Sequence, residues 1–147
     1  MIRRQMLRLL GLVPPALLGI SCKDKLPTTP TIVRGKIIDE NGDPLEGAGL
    51  RLSGVNLKGF SGYDTFSITT ESDKNGMYEL SQVAPQDTEQ IDILPRTTDK
   101  VPLNIGIGDY VSYFLVEGNY EKITSPHFIP RSDWGKTITL NYQFRKR

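Results

Sequence analysis

The stretch "GKIIDENGDPLEGAGLRLSG", residues 35–54, decides the fold. It opens with Ile37 and Ile38, breaks at polar residues, and resumes with Leu50 and Leu52. The break is turn chemistry. Asn41-Gly42 suits the positive φ of a tight hairpin. Pro44 fixes its own φ and has no N–H to donate. Gly47 and Ala48 are small where the next strand begins. The stretch "SDKNGMYEL", residues 72–80, repeats the logic. Asp73 can bond to the backbone ahead of it, Asn75-Gly76 turns the chain, and Tyr78 with Leu80 returns to a core.

Outward from these turns the chain reads as strands. With 14 Gly and 10 Pro, helices have little room. Between Tyr63 and Asn75, free of both, the centre "DTFSITTE" is β-branched and aromatic. In "TITLNYQF" Ile138, Leu140, Tyr142 and Phe144 share one face, opposite Thr137, Thr139, Asn141 and Gln143. A period of two puts one side on a core and the other in water. Seven strands are predicted, near 31–38, 47–53, 65–71, 76–82, 89–94, 109–117 and 136–144. "DYVSYFLV", apolar on both faces, predicts a central strand. Together they predict an all-β, seven-stranded antiparallel β-sandwich of Ig-like type.

The two turn segments resemble the carboxypeptidase regulatory-like domain, a transthyretin-like (prealbumin-like) β-sandwich. Gly35, Asp39, Gly42, Pro44, Leu45, Gly47, Ala48, Leu50 and Leu52 fall on that family's first motif. Asp73, Gly76, Tyr78 and Leu80 fall on its second. The match runs from about Val33 to Pro85; beyond it, Gln86 stands where the family often has glycine. The resemblance implies a non-catalytic module, found beside peptidases, at the front of TonB-dependent receptors, and alone in exported lipoproteins.

The N-terminus, "MIRRQMLRLLGLVPPALLGISC", carries an address. Arg3, Arg4 and Arg8 form a basic head, and Leu9 to Leu18 an apolar run. Crossing a bilayer needs roughly 20 residues, so the run is too short to span. Basic head, short apolar run and small Gly19 and Ser21 are the marks of an export signal. Cys22, the only cysteine, follows at once and resembles the lipobox cysteine of bacterial lipoproteins. That resemblance implies a diacylglyceryl group on its thiol and a palmitate-type chain on its amine after cleavage. The expected division is a signal peptide over 1–21, a flexible tether over 22–30 and the β-sandwich over 31–147. An ordinary signal peptidase cutting before an unmodified cysteine is the plain alternative, and an uncut helix is opposed by Pro14 and Pro15. "RRQMLR" resembles a twin-arginine export motif, leaving both export routes open. The expected location is a bacterial cell envelope, at the outer membrane, facing either the periplasm or the cell surface.

Composition removes whole classes of function. The first 21 residues hold three of the 18 Lys+Arg and none of the 17 Asp+Glu, leaving 15 against 17, or −2. A nucleic-acid binder normally shows a basic excess. The tail "RKR" (145–147) reads as a frayed, solvated end. His127 is the only histidine, so the two-histidine zinc site of the carboxypeptidases cannot form; flanked by Pro126 and Phe128, it reads as a loop or rim residue. "GFSGY" around Ser61 has Tyr63 where a nucleophile elbow needs its second glycine. Asp39, Asn41 and Asp43 have calcium-loop spacing, but Pro44 and Leu50 take the places of the glycine and the closing glutamate. No catalytic residue, metal or cofactor is expected.

Two aromatic groups remain, Phe60, Tyr63 and Phe66 between the motifs, and Phe128 with Trp134 near the end. Exposed rings of this kind stack on sugars or fill a partner's pocket; the plain alternative is that they cap the sandwich. The function expected is a non-catalytic lipoprotein, held to the membrane through Cys22, that binds or scaffolds an envelope protein or glycan. A purely structural lipoprotein, or an enzyme built on Asp, Glu, Tyr and Ser, is the alternative.

Overall fold

The computed structural model describes residues 25–103 and 110–147. The stretch expected to be a signal peptide, Cys22 and the first residues of the expected tether lie outside the described residues.

Among the described residues ten strands form two packed sheets: β1 (Thr31–Ile38), β2 (Gly49–Asn56), β3 (Tyr63–Glu71), β4 (Met77–Gln82), β5 (Gln90–Arg96), β6 (Tyr110–Val116), β7 (Asn119–Lys122), β8 (His127–Ile129), β9 (Thr137–Thr139) and β10 (Tyr142–Lys146). One sheet has the order β4-β1-β10-β6-β7, with β9 also on β1; the other has β3-β2-β5-β8. The molecule is an all-β sandwich. Alternate side chains of both sheets meet in one core, including Val33 and Ile37 of β1, Leu50 and Leu52 of β2, Ile91 and Ile93 of β5, and Tyr142 and Phe144 of β10. Each such side chain contributes about 1.5–3 kcal/mol on burial.

The two turns that announce the fold are built alike. Asp39 Oδ1 accepts from the N–H of Asn41 (2.8 Å) and of Asp43 (2.9 Å). Asp73 Oδ1 accepts from Asn75 and Met77, both at 2.9 Å. Behind each, the glycine N–H donates to the aspartate carbonyl, Gly42 to Asp39 and Gly76 to Asp73. Only the glycines have positive φ, +87° and +73°. Each turn is therefore a three-residue loop with one left-handed glycine, rather than a two-residue hairpin turned at both Asn and Gly. In the stretch with calcium-like spacing, Asp39 Oδ1 serves the turn itself.

Three features differ from the sequence reading. The predicted C-terminal strand divides into β9 and β10, and both pair with β1 in parallel, so the first sheet is mixed. At the break, Leu140 N–H donates to Arg34 O and Asn141 Oδ1 accepts from Lys36 N–H. Gly35 permits that approach, since a Cβ there would collide with the Leu140 carbonyl. Two short strands, β7 and β8, were not predicted; with three or four residues each they show no period. The basic tail is not frayed through its length. Arg145 and Lys146 belong to β10, with the Arg145 guanidinium 4.0 Å from the Tyr113 ring centroid.

Part of the stretch expected as a flexible tether is held against the body. Leu26 is buried against the core at 9% exposure. Thr29 Oγ1 donates to Gly135 O (3.1 Å), and Gly135 N–H donates to Thr31 Oγ1 (2.9 Å). A leucine between Lys25 and Pro27 gives no periodic signal, so its burial is a tertiary event.

Candidate functional site

The β3–β4 turn crosses between the sheets at one flank. At the other, the sheets end in β7 and β8, and residues 123–126 pass from one to the other. A cleft of about 210 Å³ opens there, walled by Ile93 and Pro95 of β5, Phe114 of β6, His127 of β8 and Tyr142 of β10. Glu121, Lys122, Thr124 and Ser125 form its polar side. Drug-sized ligands occupy pockets of roughly 300–1,000 Å³. This one is the size for a single sugar ring or one side chain of a partner.

Strand register assembles the wall. Tyr142 lies directly across from Phe114, and their ring centroids are 5.6 Å apart. Opposed residues of an antiparallel pair place their Cβ atoms about 4.5–5.5 Å apart, close enough for rings to touch. His127 lies across from Ile93 on the other sheet, and its ring reaches Phe114 at 4.7 Å. The loop or rim place expected of His127 is therefore a strand position inside the cleft. β6 does sit between two strands, but all seven of its residues are only half-buried. Its neighbour β7 is too short to cover it, and the cleft lies against it.

Burial holds the His127 imidazole below its usual value, so it is neutral at pH 7, with one donor and one acceptor nitrogen. Burial likewise raises the Tyr142 hydroxyl, which stays protonated. That hydroxyl has no hydrogen-bond partner among the described residues. Tyr78, whose ring is 6.1 Å away, donates its own hydroxyl to Leu140 O at 2.6 Å. The Phe114 and His127 rings line the cleft, while Tyr142, 1% exposed, closes its floor with its hydroxyl turned away from solvent.

The five aromatic residues singled out in the sequence do not form one site. Phe60 stands fully exposed at the tip of the 57–62 loop, and Tyr63 is half exposed at its base. Phe66 packs against the core. Phe128 is half exposed on β8, opposite Asp92 of β5. Trp134 is a correction to the contact set. It is 5% exposed, donates Nε1–H to Ile129 O (3.0 Å) and lies under the Arg131 guanidinium at 4.5 Å. It is part of the core. Ser61 sits in the same exposed loop as Phe60.

No protein-family model and no curated protein matches the chain. Among solved structures it is similar to the major plantain pollen allergen Pla l 1, with TM-score 0.44 and 17% identity, covering 81% of this chain and 95% of the allergen. It is similar to BcpA, the major pilin subunit of Bacillus cereus, with TM-score 0.45 and 21% identity over 81% of this chain and 31% of the pilin. It is also similar to 3-chlorocatechol 1,2-dioxygenase from Rhodococcus opacus 1CP, with TM-score 0.41 and 11% identity over 85% of this chain and 63% of the enzyme. Similarities at this level carry no function across.

Proposed function

We propose that this protein is a non-catalytic lipoprotein of a bacterial envelope, anchored through Cys22, whose carboxypeptidase regulatory-like body binds or scaffolds an envelope protein or glycan. The anchor is supported by the basic head, the short apolar run and the Gly-Ile-Ser-Cys sequence at 19–22. The family reading is supported by the two Asp-anchored turns at the motif positions. The cleft beside β7 and β8 carries the binding reading, because it joins stacked rings to a polar side at the scale of one sugar or one side chain.

The test is a photo-crosslinking amino acid placed at Thr124 on the cleft, with Glu79 on the exposed side of β4 as the control. In native envelopes the Thr124 probe should capture one discrete partner or glycan, and the Glu79 probe should not. Equal, diffuse labelling from both positions, with no binding to isolated envelope glycans, would remove the binding reading. It would leave a purely structural lipoprotein.

A further inference from the structure

Six large apolar side chains are prominently exposed among the described residues, and they are not scattered evenly. Leu57 (57%), Phe60 (114%), Tyr63 (52%) and Val83 (42%) lie in or beside the loops 57–62 and 83–89. These loops leave the ends of β2 and β4 and enter β3 and β5. Thr31, the first residue of β1, pairs with Gln82, the last of β4, so the chain enters the body at this same end. Leu26 lines one recess with Asn56, Lys58, Glu89 and Arg131, which confirms the proximity. The other two exposed residues lie elsewhere. Met77 starts β4 at the opposite end, and Phe128 is on the outer side of β8.

The loop base is built to hold its tip outward. Asn56, 1% exposed, donates Nδ2–H to Asp87 O (2.6 Å) and accepts from Lys58 N–H (2.9 Å). Glu89 accepts from Leu57 N–H at 2.7 Å, and the Thr65 and Thr88 hydroxyls are bonded at 2.7 Å. A pinned loop that presents an uncovered phenylalanine has no part in the core.

From these placements we infer that this end of the sandwich faces a lipid surface and inserts Leu57, Phe60 and Val83 into it, with Tyr63 at the headgroup level. The inference rests on the acylation of Cys22 proposed above and adds a second membrane contact to it. The chain is fixed to the body from Leu26 onward, and Lys25 lies only three chain steps after Cys22. Fully extended, three residues reach about 11 Å. An acylated Cys22 would therefore hold this end close to the headgroups, with no room for a long swing. Apolar side chains at such an interface bury about 5–10 Å below the headgroups, and tyrosine is enriched at that level. Acyl chains and loops then act as two linked contacts, and the body takes one orientation instead of many.

The native chain offers a direct probe. Cys22 is the only cysteine, and its thiol is consumed by acylation, so an introduced cysteine can be labelled alone. Phe60→Cys and Met77→Cys, each acylated in the cell, are coupled to an environment-sensitive fluorophore. They are then placed in vesicles of phosphatidylethanolamine with a minor share of phosphatidylglycerol. The label at 60 should shift to the blue, be quenched by a lipid-borne quencher and be shielded from iodide; the label at 77 should do the reverse. Leu57→Glu with Val83→Glu should let iodide reach position 60 while the acylated mass stays unchanged. An acylated protein whose label at 60 is as open to iodide as that at 77 overturns the inference and leaves the anchor standing. A blue shift that grows with protein concentration in the absence of vesicles assigns the patch to a second copy and also overturns it. A mass without acyl chains removes the anchor and the inference together.

Discussion

Gly42 and Gly76 occupy the same place in two equivalent turns, with φ of +87° and +73°. Replacing each with alanine separates two physical costs. A left-handed alanine costs roughly 1–2 kcal/mol, and stiffening the unfolded chain returns about 0.4–1 kcal/mol. At Gly42 an added Cβ meets nothing within 4 Å, so only this term acts. Gly42→Ala should therefore cost about 1 kcal/mol. At Gly76 the same atom collides with the carbonyl oxygen of Ile37, on buried β1, and comes within 3.3 Å of Pro44 Cα. Overpacking against a well-packed core adds about 1–3 kcal/mol. Gly76→Ala should then cost about 3 kcal/mol in all, some 2 kcal/mol more than its counterpart. The assay is urea unfolding followed by the fluorescence of Trp134, the only tryptophan and a buried one. The midpoint should fall further for Gly76→Ala while the slope stays unchanged, and the melting temperatures should differ by roughly 8 °C. Equal costs, within about 0.5 kcal/mol, would show that turn strain alone governs both glycines and that the close approach to β1 is wrong.

Tyr78→Phe should cost about 1–3 kcal/mol, because it leaves the buried Leu140 carbonyl without its hydroxyl donor. Tyr142→Phe should be neutral or stabilising in the same unfolding assay, since its buried hydroxyl has no partner among the described residues; a loss as large as that of Tyr78→Phe would contradict the reading. Asp92 is held above its ordinary 3.8 chiefly by burial, with Arg51 opposing and Asp64 adding. The native state then binds its proton more tightly than the unfolded chain, so this group's contribution falls as pH rises from 3.8 through the raised value. Asp92→Asn should raise the urea midpoint at pH 7 and leave it unchanged near pH 3, and a lower midpoint at pH 7 would count against it. His127 has the opposite sign, since burial lowers it from 6.5. Its contribution is complete above 6.5 and is lost as pH falls through the lowered value, so His127→Gln should flatten that part of the stability curve.

The strands that alternate and the turns that carry Asp-x-Asn-Gly were legible because their causes are local. β1 occupies the predicted 31–38, and both turns sit where Gly42 and Gly76 mark them. The division of the last strand was not legible. It depends on Leu140 and Asn141 meeting Arg34 and Lys36, more than 100 residues away in sequence. The same limit hid the cleft. Phe114, His127 and Tyr142 belong to three strands, and only register brings their rings together. A faint signal existed, since Tyr142 lies on the apolar face of an alternating strand and Phe114 in a strand apolar on both faces. Nothing local says that those strands are neighbours. Trp134, left open between partner contact and cap, illustrates the same limit: its indole N–H finds a carbonyl five residues back and the ring is buried. The exposure of Phe60 likewise appears only in the structure, since the sequence left it open between partner contact and cap.

The mass of the N-terminal peptide, taken from protein isolated in its native envelope, tests the anchored binding module most directly. The account predicts a chain that begins at Cys22, with diacylglyceryl on Sγ and the mass of an added fatty acid on the amine. A chain that begins elsewhere, or a Cys22 that reacts as a free thiol, would contradict it.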